Sequence, residues 1–280
     1  MKNETKVAVL AVLYLCTASI PLLAQRSAAA QYTIDWQQSR FTITAEANIP
    51  ASSYNQPAAR FRASRELENQ MRDFLTVGLK NLVIDAEHTV AEIPNSESIL
   101  LEHIDTVFTD RVQEYSRISQ DMQSVQLRWH FPLYPSLAEV LVPHDTVMPV
   151  PRRMGWAPRA DYTGLIIFAG HTDARGALLP VIRAEDGTNV YEYVLVDPEI
   201  VHSRGLLQYA ESEFDTRVTQ QVGAFPLRVT AIREDGTYNS DIILRNEDMR
   251  TIFRTHSVRQ ALKNGNVIVI LSSDNMQEHY

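Results

Sequence analysis

The residues best suited to binding chemistry form one run, Gly170-His171-Thr172-Asp173, followed by Ala174-Arg175-Gly176. The run follows an apolar stretch of strand length, so its polar side chains are expected at the end of a strand. Asp173 and Arg175 are the charged residues of this run and its candidates for binding. The alternative is a polar turn in which Thr172 or Asp173 bonds to nearby backbone amides.

The same run resembles the glycine-histidine-threonine-aspartate turn of OmpA-like domains, which bind peptidoglycan. The resemblance implies peptidoglycan binding through the turn at residues 170–173. The residues that follow depart from that family's pattern, because Pro180 stands where a helix should run and Thr188 stands where the family has an arginine. Peptidoglycan binding is therefore the alternative function, and peptidoglycan is not expected to be the main partner.

Other combinations of catalytic or metal-binding residues are missing from the sequence. The eight histidines do not pair at helical or hairpin ligand spacing. There is no glycine-flanked serine, no cysteine beside a base and no phosphate-binding glycine loop. The sequence therefore predicts a protein that is not an enzyme and that uses no cofactor or metal.

One further candidate for binding is Trp156, which lies in a proline-rich segment beside Arg152, Arg153 and Arg159. Tryptophan and arginine are enriched at the centres of protein interfaces, so this group predicts a contact with another protein. The alternative is a linker whose tryptophan is pinned to its own domain.

The first 30 residues have the layout of an export signal, because Lys2 and Lys6 precede an apolar stretch and small residues follow it. We expect cleavage after Ala30, with Ala24 as the alternative position. Cys16, the only cysteine, would leave with the signal, so the mature chain would have no disulfide. The apolar stretch is shorter than the ~20 residues that a membrane span requires. The sequence thus predicts a periplasmic protein with no membrane span after signal cleavage.

The charge of the chain excludes two kinds of partner. The net charge is −8, and it becomes −10 without residues 1–30, because that segment carries three basic residues and one acidic residue. A net acidic chain argues against nonspecific binding to nucleic acid and against attachment to anionic lipid by a polybasic patch.

Apolar patterns divide the chain into two parts. Strict alternation over residues 40–49 predicts a half-buried strand, and an apolar stripe from Ala63 to Leu82 predicts a helix packed on it. Six prolines between Phe131 and Ala160 argue against regular structure in that segment. The sequence predicts an α+β fold with two small mixed α/β domains, each with helices packed on a mostly antiparallel sheet, joined by a proline-rich linker. The predicted boundaries are a cleaved signal peptide at 1–30, a first domain at 31–131, the linker at 132–160 and a second domain at 161–275.

Ordered fragments of the second part resemble exported bacterial proteins of the lipoprotein-20-like family and flagellar assembly protein T. These fragments are residues 162–167, 173–176, 180–182, 241–244 and 267–270. The resemblance implies a non-enzymatic protein, and some relatives form a ring around the flagellar basal body. The expected partners are other envelope proteins, flagellar basal-body components among them, and a homo-oligomer is left open. The predicted function is a periplasmic structural or assembly protein of the flagellar basal body or another envelope machine, acting through protein contacts.

Overall fold

The computed structural model of the protein describes residues 28–50, 54–156, 158 and 160–280. The predicted signal up to residue 27 and the candidate contact residue Arg159 lie outside the described residues.

The first domain is an antiparallel sheet with two helices on one face. Its elements are β1 (Ala28–Asp35), β2 (Arg40–Asn48), helix α1 (Gln56–Leu79), helix α2 (Ser96–Thr109), β3 (Val112–Ile118) and β4 (Ser124–Pro132). The alternation predicted for β2 is confirmed, because Phe41 and Ile43 point into the core and lie opposite Phe131 and Trp129 of β4. Helix α1 buries a stripe at intervals of three and four residues against the sheet: Ala59, Ala63, Leu67, Met71, Leu75, Gly78 and Leu79.

Strand β1 begins inside the segment that the sequence assigns to the signal. Ala28 and Ala30 pair with Ala47 and Ala45 of β2. Cleavage after Ala24 would leave this strand whole, whereas cleavage after Ala30 would remove its first three residues.

The second domain is built around two small sheets. The short helix α3 (Ala138–Leu141) precedes this domain. The elements of the domain are β5 (Leu165–Phe168), β6 (Ile182–Ala184), β7 (Asn189–Tyr191), α4 (Pro198–Arg204), β8 (Gln208–Ala210), α5 (Thr216–Val222), β9 (Leu227–Thr230), β10 (Arg233–Asp235), β11 (Asp241–Leu244), α6 (Asn246–Arg254), α7 (His256–Lys263) and β12 (Val267–Ile270). One sheet has the order β8-β12-β5-β9 and is parallel throughout. The other has the order β10-β11-β6-β7, with antiparallel hairpins at both edges and a parallel pair in the centre.

The predicted α+β class with two domains is confirmed. The two hairpins of the mixed sheet turn at Asp186-Gly187 and next to Gly236, where glycine takes the positive φ that such turns require. The parallel strand β12 is buried along its whole length, as expected for a sheet covered on both faces.

A last strand, β13 (Gln277–His279), returns from the second domain to the first. It pairs with β1, so that the first domain's sheet has the order β13-β1-β2-β4-β3. Side chains of the two domains are also in contact. The rings of Trp36 and Tyr209 pack edge to face, with their centroids 5.8 Å apart. One edge of the first sheet is therefore formed by a segment from the end of the other domain.

The proline-rich segment lies on the second domain as a strap, which we define as residues 142–156. Its residues His144 and Val150 are buried, and His144 Nε2 lies 2.8 Å from the Val196 carbonyl oxygen. The Met148 amide donates to the Val194 carbonyl (2.6 Å), and the Arg153 amide donates to the Phe253 carbonyl (3.3 Å). These bonds hold residues 144–153 of the strap against the domain that follows it.

Candidate functional site

The polar turn predicted to bind a ligand follows β5. The Thr172 hydroxyl donates to the Ala169 carbonyl (2.8 Å) and accepts from the Ala174 amide (3.2 Å). The Asp173 amide donates to the Glu234 carboxylate at 3.3 Å, and the Asp173 side chain is exposed. The hydroxyl of Thr172 thus closes the turn locally, in agreement with the polar-turn interpretation. Peptidoglycan binding through this turn stays a prediction.

Arg175, unlike Asp173, lines a cleft between the two domains. We define this interdomain cleft by Lys80, Asn81, Thr89, Arg175, Tyr238 and Tyr280, and its volume is about 470 Å³. Sequence patterns do not predict it, because its walls come from four separate segments of the chain.

Backbone hydrogen bonds across the domain junction fix the walls of the cleft. The Tyr238 amide donates to the Ala86 carbonyl at 3.0 Å, and the Leu179 amide donates to the Ile84 carbonyl at 2.7 Å. The Tyr238 hydroxyl donates to the Glu92 carboxylate at 2.8 Å. Arg175 itself is held through its backbone amide, which donates to the Asn239 carbonyl at 2.9 Å. The cleft is consequently formed without a ligand.

A buried carboxyl, that of Glu278, lies in the wall of the cleft. It accepts hydrogen bonds from the Tyr280 hydroxyl and, at 3.4 Å, from Trp36 Nε1. Burial raises the pKa of the Glu278 carboxyl above its ordinary value, although the two hydrogen bonds and the charge of Arg175 act in the opposite direction. Trp36, Glu278 and Tyr280 thus form a chain of hydrogen bonds between the first domain and the wall of the cleft.

Trp156 lies on the strap and forms no part of the cleft. It is 81 % exposed, and the neighbouring Met154 is 84 % exposed. Arg254 of α6 places its guanidinium against Gly155, whose φ of +135° brings the strap close to the helix. We call Arg152, Arg153, Met154, Trp156, Arg250 and Arg254 the arginine–tryptophan surface. The structure therefore does not bring the three predicted residues Asp173, Arg175 and Trp156 into one site.

The charges of Arg153 and Arg250 of this surface act on the carboxyl of Asp186, and the charge of Arg152 acts on the guanidinium of Arg259. Burial and the charge of Arg152 lower the pKa of the Arg259 guanidinium. Hydrogen bonds from Thr188, and then the charges of Arg153 and Arg250, lower the pKa of the Asp186 carboxyl. The positive charge of this region thus acts on at least one exposed acid, although no ion pair forms there between described residues.

The described part of the chain has neither a metal-binding cluster nor a membrane-spanning helix. It contains no cluster of three or more histidine, cysteine or acidic side chains that could hold a metal ion. None of the helices in those ranges has the length and apolar character needed to cross a bilayer.

Each domain of this two-domain α+β protein matches a known family model. Residues 27–140 match the family model described as Treponema pallidum Tp0624, N-terminal domain. Residues 164–273 match the model described as Treponema pallidum Tp0624, second domain. The chain is similar to Tp0624 in both domains and in their order, and the strap falls between the two matches. No curated protein gives a significant match to the chain.

These matches overturn the resemblance to the lipoprotein-20-like family and flagellar assembly protein T, which is wrong. The fragments that suggested it are short buried strands such as β5 and β12 and tight turns. Buried strands of this length are apolar in many unrelated folds, so their order along the chain carries little family information. The expectation of flagellar partners depended on that resemblance and is not carried further.

Proposed function

We propose that this chain is an exported, non-enzymatic protein of the periplasm that acts by binding another protein through the arginine–tryptophan surface. The observation that carries the proposal is the exposure of Trp156 and Met154 on a strap that is otherwise fastened to its domain. Because backbone hydrogen bonds already order the strap, binding would not have to order its backbone. Aromatic side chains, methionine and arginine are the residues enriched in protein interfaces.

The charge of the arginine–tryptophan surface favours a partner segment that is acidic and that also carries an apolar side chain. The chain is net acidic, yet none of the four arginines of the surface lies within ion-pair distance of a carboxylate in the described residues. The Nε of Arg254 is buried and has no hydrogen-bond partner in that part of the chain. A partner that supplies carboxylates would form charge-assisted hydrogen bonds with the exposed guanidinium groups of Arg152, Arg153 and Arg250.

The test is photo-cross-linking from residue 156 in the native host. A benzoylphenylalanine at position 156 is expected to capture one partner protein, with the cross-link in an acidic peptide. The matched control is the same probe at Phe214, which is 88 % exposed but whose neighbouring arginines are paired, Arg217 with Asp215 and Arg228 with Glu213.

Two outcomes would contradict the proposal. One is capture of the same proteins from positions 156 and 214. The other is capture that persists when Arg152 and Arg153 are both changed to glutamate, since the surface would then not act through its charge. A cross-link to sacculus fragments alone would move the function to glycan binding.

The periplasmic part of the proposal rests on the signal layout of the first 30 residues. Release of the tagged chain from spheroplasts, together with its N-terminal sequence, tests both export and the cleavage position. Retention of an uncleaved chain in the cytoplasm would contradict it.

A further inference from the structure

The interdomain cleft has the chemistry of a binding site and shares no residue with the arginine–tryptophan surface. Its one unpaired cation is Arg175, because Lys80 forms an ion pair with Glu97 (3.1 Å) and no carboxylate of the described chain lies within ion-pair distance of Arg175. Glu278 does not neutralise it by contact, since the Glu278 carboxyl is directed to Trp36 and Tyr280. A guanidinium in this setting is free to form a two-pronged hydrogen bond with a carboxylate.

Neutral polar groups surround this cation. The side-chain amides of Asn81 and Asn239 have no hydrogen-bond partner among the residues that the structure describes, and each amide offers two donors and an acceptor. Tyr238 and Tyr280 add flat rings with hydroxyl groups at their edges. Amides and aromatic rings around one cation suit a ring that carries several hydroxyls and a single negative charge.

The size of the cleft agrees with such a ligand. Pockets that enclose small molecules commonly have volumes of roughly 300–1,000 Å³, and the cleft of about 470 Å³ lies within that range. Its walls are held by backbone bonds from both domains, so a ligand would not have to order them.

We propose that the interdomain cleft binds an acidic saccharide, with the saccharide carboxylate on Arg175 and its hydroxyl groups on Asn81 and Asn239. This inference does not depend on the proposed protein partner. An acidic peptide carries the same carboxylate but lacks the ring of hydroxyl groups, and it is the competing ligand in the test.

The indole N–H signals of the three tryptophans provide the readout in a nitrogen–proton correlation spectrum. Trp36 Nε1 contacts Glu278 on the wall of the cleft, Trp129 is buried in the first domain and Trp156 lies on the strap. The probes are two matched pairs: glucuronate with glucose, and N-acetylmuramate with N-acetylglucosamine. We expect each acid to move the Trp36 signal in a saturable way while the Trp129 and Trp156 signals stay in place. Each neutral sugar should bind at least about tenfold more weakly, because a hydrogen bond to a charged group contributes roughly 1.5–3 kcal/mol.

Arg175→Gln should weaken the binding of the acids by about tenfold or more and leave the neutral sugars unchanged. The Arg175 side chain is exposed, so the variant is expected to fold, and an unchanged melting temperature checks this. Arg62→Gln, a change of another exposed arginine on α1, is the matched control and should bind like the parent chain. Equal binding of acids and neutral sugars, no Trp36 shift with any of the four probes, or a larger shift with acetyl-D-alanyl-D-alanine than with the acid sugars would overturn the proposal.

Discussion

The indole of Trp36 lies so close to the backbone of Gly176 that a β-carbon on the glycine would come within 2.3 Å of the ring. Trp36 belongs to the first domain and Gly176 to the second. The indole is 2 % exposed and is also in edge contact with Tyr209. The two domains therefore meet at a point with no room for one more methyl group.

The first prediction is that Gly176→Ala destabilises the protein by at least about 1–3 kcal/mol, the usual cost of overpacking a filled core. The ring is enclosed and cannot move aside without disturbing Tyr209. Urea unfolding followed by circular dichroism measures the change. Gly170→Ala is the control, because the nearest atom to its new methyl group would be 3.5 Å away, an ordinary contact. Equal destabilisation by the two changes would contradict the packing argument.

Much of the first domain is predictable because its patterns are local. Phe41 and Ile43 alternate with polar residues, and the stripe of α1 repeats every three or four residues, so period alone gives a strand and a helix. The mostly apolar run over residues 190–196 has the length of a strand, but the strand ends at Tyr191 and residues Tyr193–Leu195 form a 3-10 turn. A 3-10 turn of three residues is too short to produce a recognisable spacing of apolar residues.

The cleft could not be predicted, because no local pattern joins its residues. Lys80 follows a helix, Arg175 follows a turn, and Tyr280 follows a three-residue strand made of Gln277, Glu278 and His279. That strand carries no alternation of apolar residues, and its partner β1 lies more than 240 residues away in the chain. Only the tertiary pairing of β13 with β1 brings these groups together.

The second prediction concerns β13. A chain that ends at Met276 should exchange the backbone amide of Tyr32 rapidly, because this amide donates to the Tyr280 carbonyl at 3.2 Å. The amides of Thr33 and Asp35 point to the opposite side, toward β2, and should stay protected because residues of an antiparallel strand alternate between its two neighbours. Hydrogen exchange resolved by NMR measures both. The Leu127 amide in β4 is the internal control. Loss of protection at all of these amides would mean that the whole sheet needs β13 to fold.

The third prediction is a pH dependence that comes from Glu278. Since burial raises the pKa of this carboxyl, the folded chain binds its proton more tightly than the unfolded chain does. Its contribution to stability is therefore fully present below the ordinary pKa of 4.5 and is lost as the pH rises through the higher folded pKa. Glu278→Gln keeps an acceptor for Trp36 and cannot ionise, so its stability relative to the parent chain should increase with pH.

Urea unfolding of both chains between about pH 4 and pH 8 measures this difference. Glu139→Gln, a change of an exposed side chain, is the control. Its unfolding free energy relative to the parent chain should not increase with pH. A Glu278→Gln difference that is constant over this range would show that the carboxyl has the same pKa in the folded and unfolded chains.

The fourth prediction concerns Asp241, which is fully buried at the start of β11. Its carboxylate accepts from the Val181 amide at 2.8 Å and forms an ion pair with Arg183, although burial raises the pKa of the carboxyl. Asp241→Ala removes the acceptor and leaves both donors unpaired, so it should cost about 3 kcal/mol of unfolding free energy. Asp241→Asn keeps an oxygen for the Val181 amide and removes a charge that burial already disfavours, so its cost should be smaller.

The decisive measurement is which of the two variants, Asp241→Ala or Asp241→Asn, loses more unfolding free energy. Asp274→Ala, at an exposed position, controls for the loss of a carboxylate and should change the unfolding free energy by no more than about 0.5 kcal/mol. If Asp241→Asn were as damaging as Asp241→Ala, the ion pair with Arg183 would contribute more than the bond to the Val181 amide. In that case Arg183→Met should be equally destabilising in the parent chain and should have little further effect in the Asp241→Asn variant, because two residues in one ion pair are not independent.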